Sequence, residues 1–423
     1  MQHPAISGTR LVAVVCFAQV LVQLGAFFWP ALLPELLPKW QLSNTEAGWI
    51  TASFYAAYML SVPVLVTLTD RLDAKLVYLF GVACTIAGHL LFGYFADGFW
   101  SAFWLRALTG LGWAGTYMTG VKLLADKVDK KLMSRAVTGH AASIGISGAL
   151  SFSCAGLLAE FHGWRAAFMV AGVCAGIAWL LIAVWVPGRQ GPAAKPSDGG
   201  VLFDFRPVLR NRSAMAYSIA YCIHTLEMNG LRGWGVAFLG YVAVSTGAGG
   251  AALSPAFVMT ALGLIGTVAS VFGNEAAIRI GRRNLVAAAM LGSIVVACVI
   301  ALFGTLSYPI AALLLLIYGL VIWLDSSSLT AGAAGTAEPS RRGAQLAVHS
   351  SLGYAGGFVG PLMIGVILDH AGGASRIGWG LAFFAIALLM LLALQYSGSS
   401  VRATWPAIAA LSACKSSRNP ITH

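Results

Sequence analysis

The 423-residue sequence has little charge. Only 10% of its residues are Asp, Glu, Lys or Arg, whereas 58% are hydrophobic. A soluble protein of this length needs a far more polar surface, so the composition excludes an ordinary soluble domain. Motifs of catalysis and ATP use are also missing, because no H-E-x-x-H, G-x-S-x-G or G-x-x-x-x-G-K-[ST] pattern occurs. The sequence therefore gives no support to a membrane enzyme or an ATP-driven pump.

Cysteine is scarce as well, with seven residues and no C-x-x-C spacing. Six of them fall inside apolar stretches, and Cys414 lies near the C-terminus. We therefore predict no disulfide, no zinc site and no cofactor. His89, His140 and His349 follow no metal-ligand spacing, and we expect them to make packing or polar contacts between helices.

What the sequence does contain is about twelve apolar stretches of roughly 20 residues, the length needed to cross a bilayer core as helix. The predicted spans cover residues 11–33, 48–69, 75–96, 100–122, 136–159, 166–187, 214–237, 255–277, 285–306, 309–333, 344–367 and 377–396. The sequence thus predicts an all-α polytopic membrane protein.

The positive charges between these spans indicate an orientation. Of the 26 Lys and Arg residues, 21 fall on one set of alternate loops together with both termini. Only Lys39, Arg165 and Arg376 fall on the opposite loops, and two more lie within spans. The positive-inside rule then predicts cytoplasmic termini in an inner or plasma membrane. The net charge of +11 is explained by loops facing anionic lipid headgroups, so we expect no nucleic-acid partner.

One compositional break divides the chain. The segment 188–213 is rich in Gly, Pro and charge, and it separates six spans from six spans. The predicted units are a first six-helix bundle at 1–187, a cytoplasmic linker at 188–213, a second bundle at 214–396 and a cytoplasmic tail at 397–423. Short motifs in the two bundles repeat at an offset of about 210 residues, which is typical of transporters built from internal repeats.

Several of these motifs resemble those of the major facilitator superfamily. Asp70, Arg71 and Lys75 match the family's motif between spans 2 and 3, and Arg279, Arg282 and Arg283 match its second copy. Arg106, Gly110 and Gly112 match the span 4 motif. Gly145 and Gly148 resemble the span 5 motif, whose counterpart in span 11 carries Gly357, Gly360 and Pro361.

The resemblance implies twelve helices in two six-helix bundles related by pseudo-two-fold symmetry, acting by alternating access. It also implies a cytoplasmic gate formed by the charged residues of the two loop motifs, packing or gating roles for the motif glycines and Pro361, and a central cavity lined by spans 1, 4, 7 and 10. We expect a functional monomer in the bilayer, and no enzymatic activity.

The charged residues that stand out within the apolar runs fall on that cavity-lining set: Arg106 in span 4, Glu227 and Arg232 in span 7 with His224 on the same face as Glu227, and Asp325 in span 10. Gln19 and Gln23 occupy the corresponding part of span 1. Charges within a membrane are costly, so each needs a partner, a cavity or a function. Two interpretations stay open: substrate contact or proton coupling, or a structural role in which Glu227 and Asp325 form buried ion pairs with the arginines. Asp97, Glu160, Asp369 and His370 fall on outer loops, where we expect them to be solvated.

The predicted function is secondary active transport of a small solute, coupled to protons through Glu227 or Asp325. Arg106 and Arg232 favour a small organic anion or a polar metabolite as substrate. The alternatives are a proton-driven exporter of drugs or other toxic compounds and, less favoured, a membrane protein that is a sensor or an enzyme.

Overall fold

The computed structural model describes residues 8–69, 71–188, 206–248, 253–338 and 342–416, and in these residues it contains helices but no strand. The helices are α1 (Gly8–Gln23), α2 (Phe28–Ala31), α3 (Leu33–Lys39), α4 (Asn44–Leu68), α5 (Ala74–Phe95), α6 (Phe99–Ala114), α7 (Tyr117–Ala125), α8 (Lys130–Trp185), α9 (Arg206–Arg210), α10 (Arg212–Ser245), α11 (Pro255–Ile280), α12 (Arg282–Phe303), α13 (Tyr308–Trp323), α14 (Ser326–Thr336), α15 (Arg342–His370) and α16 (Arg376–Ser416).

These helices form the twelve predicted crossings, arranged as two six-helix halves. Span 1 consists of α1, α2 and α3, span 4 of α6 and α7, and span 10 of α13 and α14. In the described part of the chain, eight helices are long and apolar enough to cross a membrane by themselves. The number is below twelve because spans 5 and 6 share α8, spans 1 and 4 are divided, and span 7 (α10) carries ionisable side chains.

The long helix α8 is two membrane crossings joined by a tight turn. Its 56 residues would extend about 84 Å as one straight helix, far beyond a core of about 30 Å. The chain reverses at Gly163, whose φ of 82° and ψ of 158° are not helical. A left-handed φ is easily adopted only by glycine. The predicted spans 5 and 6 therefore lie on either side of this residue.

Three of the predicted spans are interrupted rather than continuous. Span 1 leaves the helical path after Gln23, span 4 at Gly115 and Thr116, and span 10 at Leu324 and Asp325. At the first interruption, the backbone N–H of Phe27 donates to Ser151 Oγ at 2.9 Å. Irregular backbone at membrane depth is tolerated only where protein partners satisfy its polar groups. Hydropathy averaged over a span does not reveal such breaks, because most residues around them are apolar.

Several helices start at side chains that accept hydrogen bonds from the first turn. Ser43 and Glu46 form a reciprocal capping box at α4, with Glu46 N donating to Ser43 Oγ at 3.1 Å. The Asn211 side chain accepts a hydrogen bond from the backbone N–H of Ala214 in the first turn of α10. The Ser254 side chain does the same at the start of α11, where Pro255 is the first helical residue. These caps lie at the predicted outer starts of spans 2 and 8 and at the predicted cytoplasmic start of span 7.

The two halves contact each other from the predicted outer face to the middle of the spans. Tyr55 OH donates to Asn229 Oδ1 at 2.9 Å, and Thr260 Oγ1 donates to Ser153 Oγ at 2.9 Å. Near mid-depth, the rings of Tyr58 and Tyr354 stack with centroids 3.6 Å apart. Among the described residues, every hydrogen bond between the halves lies in this region. The described contacts therefore join the two halves at the predicted outer face and leave the opposite ends without a hydrogen bond between the halves.

Asp369 contradicts one sequence-based expectation, because it is not merely solvated. Its Oδ1 accepts hydrogen bonds from Asn44 N at 3.0 Å and Asn44 Nδ2 at 2.8 Å, and its Oδ2 accepts from Thr45 N at 2.7 Å. The carboxylate at the end of α15 thus caps the start of α4 in the other half. The first N–H groups of a helix lack internal partners and attract negative charge, which explains the contact.

The boundaries of the C-terminal bundle also differ from the prediction. Span 7 begins at Arg212 rather than 214, and α16 continues through Ser416, past the predicted start of a tail at 397. The linker prediction falls mostly outside the described residues, since 189–205 are not among them; its described part includes the short helix α9. Helix α16 thus continues past the apolar stretch that predicted span 12, because a helix can extend beyond the hydrophobic core of a membrane.

Candidate functional site

Two carboxylic acids are buried in the C-terminal half, and neither pairs with an arginine in the part of the chain that the structure describes. Glu227 has no exposed surface and Asp325 is 2% exposed. Tyr318 OH donates to Glu227 Oε1 at 2.5 Å, and Asp325 Oδ1 lies 3.0 Å from His224 Nδ1. Glu227 is therefore hydrogen-bonded to a tyrosine, whereas Asp325 Oδ1 is in close contact with a histidine nitrogen without a well-aligned hydrogen bond.

Local geometry explains how these side chains meet. His224 and Glu227 are three residues apart on α10 and so lie on one face of the helix. Asp325 is the residue before α14, at the interruption of span 10. A carboxylate at a helix N-terminus is favoured by the helix dipole. The break in span 10 thus places an acid beside the polar face of span 7.

The network has unused hydrogen-bonding capacity. Within the described residues, Glu227 Oε2, His224 Nε2 and Asp325 Oδ1 are buried without a well-aligned hydrogen bond, and the Ser293 side chain lies near the Glu227 carboxyl group. Buried polar atoms are normally satisfied, so each unsatisfied one needs an explanation.

The structural alternative of buried ion pairs between these acids and the span arginines is wrong. Among the described residues, neither Arg106 nor Arg232 lies within ion-pair distance of a carboxylate. Five residues separate Glu227 from Arg232, which turns their side chains about 140° apart on one helix. The acid therefore faces the interior of its own bundle, and the arginine faces elsewhere.

Arg232 lies between the two halves, held by aromatic rings. Its guanidinium carbon is 5.0 Å from the ring centroid of Phe27 in span 1 and 4.8 Å from that of Trp323 in span 10. The side chain is half-buried. Cation–π contacts of this kind hold an arginine in place while leaving its N–H groups available to a ligand.

Sequence reasoning did not identify a group of tyrosines near the middle of the bundle. The ring of Tyr354 stacks on Tyr58 and lies near Tyr117 and Tyr221. His349 stacks on Tyr221 with ring centroids 4.2 Å apart. One signal was present: tyrosine prefers the membrane interface, so tyrosines at mid-span point to a polar interior. The five side chains give this region aromatic walls with polar tips.

The two glutamines of span 1 lie inside the N-terminal half. Gln19 is fully buried and accepts a hydrogen bond from Tyr78 OH at 2.8 Å. Gln23 is 3% exposed and lines a small cavity with His89. Neither glutamine is brought together with the acids of spans 7 and 10 by any contact in the described residues.

The predicted gate residues make contacts within their own half. Lys75 Nζ donates to Ala183 O at 2.8 Å, and Arg279 pairs with Glu275 at 3.1 Å. Arg71 and Arg283 are exposed and Arg282 is half-buried, whereas Asp70 lies outside the described residues. A bracing role for these side chains, which we predicted for an outward-facing state, stays a prediction.

The motif glycines lie where helices approach closely. A Cβ added at Gly110 or Gly360 would meet backbone of a neighbouring helix, at Phe54 O and Leu226 O respectively. Gly145 faces Thr267 of the opposite half, and Gly357 faces both Asn229 of its own half and Tyr55 of the other. Gly112 packs on Thr85 and Gly148 on the Phe27 ring, and Pro361 O accepts from Trp234 Nε1 at 2.8 Å. Small residues allow such close backbone contact in membranes.

No group of three or more His, Cys, Asp or Glu side chains in the described residues is placed to hold a metal ion. The polar network of spans 7 and 10 consists of two acids, a histidine and a tyrosine.

Known structures share this architecture. A bacterial homolog of the human lysosomal transporter spinster, solved in an inward-facing, occupied conformation, superimposes with a TM-score of 0.76 over 93% of this chain and 97% of that one, at 14% identity. The nucleoside transporter NupG superimposes with a TM-score of 0.73 over 92% and 99%, at 15% identity. Identities this low show a common fold only.

Proteins that are similar in sequence also include membrane transporters. Human "Protein spinster homolog 1" is 26% identical over 242 residues, covering 54% of this chain and 45% of that protein. The Xenopus tropicalis "Sphingosine-1-phosphate transporter SPNS2" is 22% identical over 227 residues, covering 52% and 44%. The chain spans about half the length of the curated relatives it matches.

The model of the Major Facilitator Superfamily matches residues 15–361. The chain belongs to this family of multi-pass membrane transporters.

Proposed function

We propose that this protein is a proton-coupled secondary transporter of an organic anion that carries an apolar body. The arginine-free pair of buried acids in spans 7 and 10 is the observation that carries the proposal. An acid fixed by an arginine stays charged, whereas one held by tyrosine or histidine can gain and lose a proton. Glu227 and Asp325 have the second kind of environment.

The coupling step follows from alternating access. The present arrangement is closed outside, with contacts such as Tyr55–Asn229 between the halves. When these contacts open and the cytoplasmic ends approach, the surroundings of the span 7 and span 10 acids change. A change in hydration alters the proton affinity of a buried carboxyl group. Proton binding on one side and release on the other would then drive the solute against its gradient.

The proposed substrate class rests on Arg232 and the aromatic rings around it. A half-buried guanidinium without a described carboxylate partner can bind a carboxylate or phosphate through paired hydrogen bonds. The rings of Phe27 and Trp323, with the tyrosines nearby, offer an apolar surface to the rest of the solute. The name of the Xenopus relative, a sphingosine-1-phosphate transporter, is consistent with a substrate of this kind.

The remaining parts of the proposal come from the sequence. We propose that the protein acts as a monomer in the inner or plasma membrane with both termini in the cytoplasm, as the loop charges favour. Residues 1–187 and 214–396 would be the two moving units. The linker 188–213 would allow them to rock, and residues 397–423 would face the cytoplasm.

One observation favours a second candidate. The stacked Tyr58 and Tyr354 and the nearby Tyr117 and Tyr221 form a strongly aromatic region. Aromatic walls with a nearby acid also suit cationic, apolar drugs. A proton-driven exporter of such compounds is therefore the alternative.

A single experiment separates the two candidates. Proteoliposomes containing a pH-sensitive dye are exposed in turn to amphipathic organic anions, sugars, amino acids and cationic drugs. We expect saturable proton movement with amphipathic anions. A response to cationic drugs alone would favour the exporter, and solute flux insensitive to an imposed pH gradient would contradict proton coupling.

A further inference from the structure

A series of polar side chains leads along α10 to the two buried acids. Ser218, Tyr221, His224 and Glu227 follow one another at intervals of three residues, so each adjoins the next on the helix surface. The distance along the helix from the first to the last is about 14 Å. The series therefore extends from Glu227 toward the start of span 7, which is the predicted cytoplasmic end.

The acids and their histidine neighbour are shielded from solvent. Glu227 has no exposed surface, and Asp325 and His224 are each 2% exposed. A proton that reaches these acids in the present arrangement must pass through other side chains or enclosed water. A residue that connects them with the surface would thus belong to the coupling mechanism.

His349 of α15 lies against this polar series. Its ring stacks on that of Tyr221 with centroids 4.2 Å apart, and the Tyr221 ring stacks in turn on that of His224 with centroids 5.8 Å apart. Tyr221 and His224 are the titratable side chains of α10 that face His349. Because His349 is itself only 2% exposed, it needs a polar neighbour to communicate with solvent.

Two hydrogen-bonding contacts orient the His349 ring. Ser218 Oγ donates to Ala214 O at 2.9 Å, so its lone pairs are left to accept from Gln345 Nε2 at 3.1 Å and from His349 Nδ1 at 3.3 Å. The neutral imidazole therefore carries its proton on Nδ1, and Nε2 is the basic nitrogen. His349 Nε2 lies 3.3 Å from the hydroxyl of Thr330, an exposed residue of α14. The basic nitrogen thus faces the group that meets solvent.

His224 provides an atom that can receive a proton. Its Nε2 is buried and has no hydrogen-bond partner in the part of the chain that the structure describes. Its Nδ1 lies 3.0 Å from Asp325 Oδ1 on the other side of the ring. An imidazole can bind a proton at one nitrogen and release the proton of the other. His224 is therefore placed to pass a proton to Asp325.

We propose that His349 is a proton relay between solvent at Thr330 and the acids of spans 7 and 10. The inference rests on the proposed proton coupling and adds its route. His349 Nε2 takes a proton from water at Thr330, and the imidazolium passes a proton to His224 Nε2 through a water molecule beside the Tyr221 ring. His224 then gives its Nδ1 proton to Asp325 Oδ1. One proton is bound at the surface and one arrives at the acid, and release reverses these steps.

The test measures how fast the purified full-length protein in detergent binds protons after a rapid drop in pH, followed with a pH-sensitive dye. The part of the signal that Asp325→Asn abolishes reports on the acid. In His349→Gln we expect this phase to keep its pH midpoint and to become severalfold slower. The glutamine can still form polar contacts with Ser218 and Thr330, but it cannot carry a proton.

His140→Gln is the matched control. His140 is a buried histidine of the N-terminal half that also stacks on a tyrosine, Tyr117, and its Nε2 lies 3.0 Å from Tyr117 O. It has no contact with the acids in the described residues. Its replacement should leave the rate of the Asp325-dependent phase unchanged.

Thr330→Val keeps the test decisive if His349→Gln does not fold. It removes the exposed hydroxyl beside His349 Nε2 without altering a buried group, and the Asp325-dependent phase should again become slower. Thr336→Val is its control, because Thr336 is an exposed threonine of the same helix whose hydroxyl donates to Gly332 O at 2.8 Å. This control should bind protons at the wild-type rate.

The outcomes separate the relay from the coupling itself. A wild-type rate in folded His349→Gln, or in Thr330→Val, would overturn the relay and leave proton coupling intact. A shifted pH midpoint at an unchanged rate would also overturn it, since His349 would then influence the acid only through its charge. If the wild-type protein showed no Asp325-dependent phase, coupling through this acid would be contradicted and the relay with it.

Discussion

Asp369 in the C-terminal half accepts a hydrogen bond of 2.7 Å from the backbone N–H of Thr45 in the N-terminal half. Asn44 adds two more donors to the same carboxylate. The contact joins the outer end of α15 to the first turn of α4. It must break whenever the halves separate on this predicted outer side, so it stabilises the closed arrangement of that face.

Removing this carboxylate should favour the outward-facing state. Asp369→Ala deletes hydrogen bonds to a charged group that are worth about 1.5–3 kcal/mol each when buried, and less at this half-buried position. We expect the ratio of outward-facing to inward-facing molecules to rise about tenfold. Double electron–electron resonance measures this ratio from the distribution of distances between spin labels placed on the predicted outer ends of the two halves.

Glu160→Ala is the control for that experiment. Glu160 is an exposed acid on the same predicted face, within α8. Its removal should leave the distance distribution unchanged. An unaltered distribution in Asp369→Ala would mean that the contact contributes nothing to closing the outer face.

Arg232 should determine affinity for anionic substrates. Arg232→Gln removes the guanidinium between Phe27 and Trp323, and a charge-assisted hydrogen bond of about 1.5–3 kcal/mol corresponds to about a 10- to 100-fold rise in KM. Arg165→Gln also removes an arginine that stacks on a tryptophan, Trp164, but at the outer end of span 6. Initial uptake rates should give a normal KM for this control. Equal KM values for both variants would exclude Arg232 from substrate binding.

Tyr318 should support coupling through its bond to Glu227. In Tyr318→Phe, Glu227 Oε1 loses its 2.5 Å donor, and we expect weaker accumulation in a proton gradient with exchange retained. Tyr308→Phe makes the same change on the same helix, where the hydroxyl donates to Leu253 O at 2.7 Å instead. Parallel accumulation assays should show a defect only in Tyr318→Phe. A similar defect in both variants would indicate a general effect on helix α13.

Helix packing gives a prediction about stability. In Gly110→Ala the added methyl group would meet Phe54 O of α4, so spans 2 and 4 must separate, at a cost of about 1–3 kcal/mol. In Gly176→Ala nothing lies within 4 Å of the added carbon. Thermal unfolding should therefore show a lower midpoint for Gly110→Ala and no loss for Gly176→Ala.

Much of the fold was accessible from the sequence, because crossing a bilayer demands long apolar helices. The halves and the membership in the family followed from loop motifs such as Asp70–Lys75. The breaks after Gln23 and at Asp325 were not accessible. They depend on partners distant in sequence, such as Ser151, whose hydroxyl satisfies the backbone of span 1.

The candidate site was predictable in part. Ionisable residues inside apolar spans are rare enough to draw attention, and Glu227 and Asp325 were found in that way. The side chains that contact these acids were not predicted. Tyr318 looks like an ordinary residue of an apolar span, and the sequence does not show that His224 lies beside Asp325. The cap formed by Asp369 also escaped prediction, because hydropathy does not show which helix N-terminus lies beside an outer carboxylate.

The most direct test of the central claim compares the wild-type protein with Glu227→Gln in proteoliposomes. The glutamine keeps an oxygen for the Tyr318 hydroxyl but cannot exchange a proton. We predict that Glu227→Gln loses accumulation of substrate driven by a pH gradient while retaining counterflow exchange. Glu275→Gln, which changes an exposed acid at the end of α11, should behave as wild type. Undiminished gradient-driven accumulation by Glu227→Gln and by Asp325→Asn would contradict proton coupling through these acids.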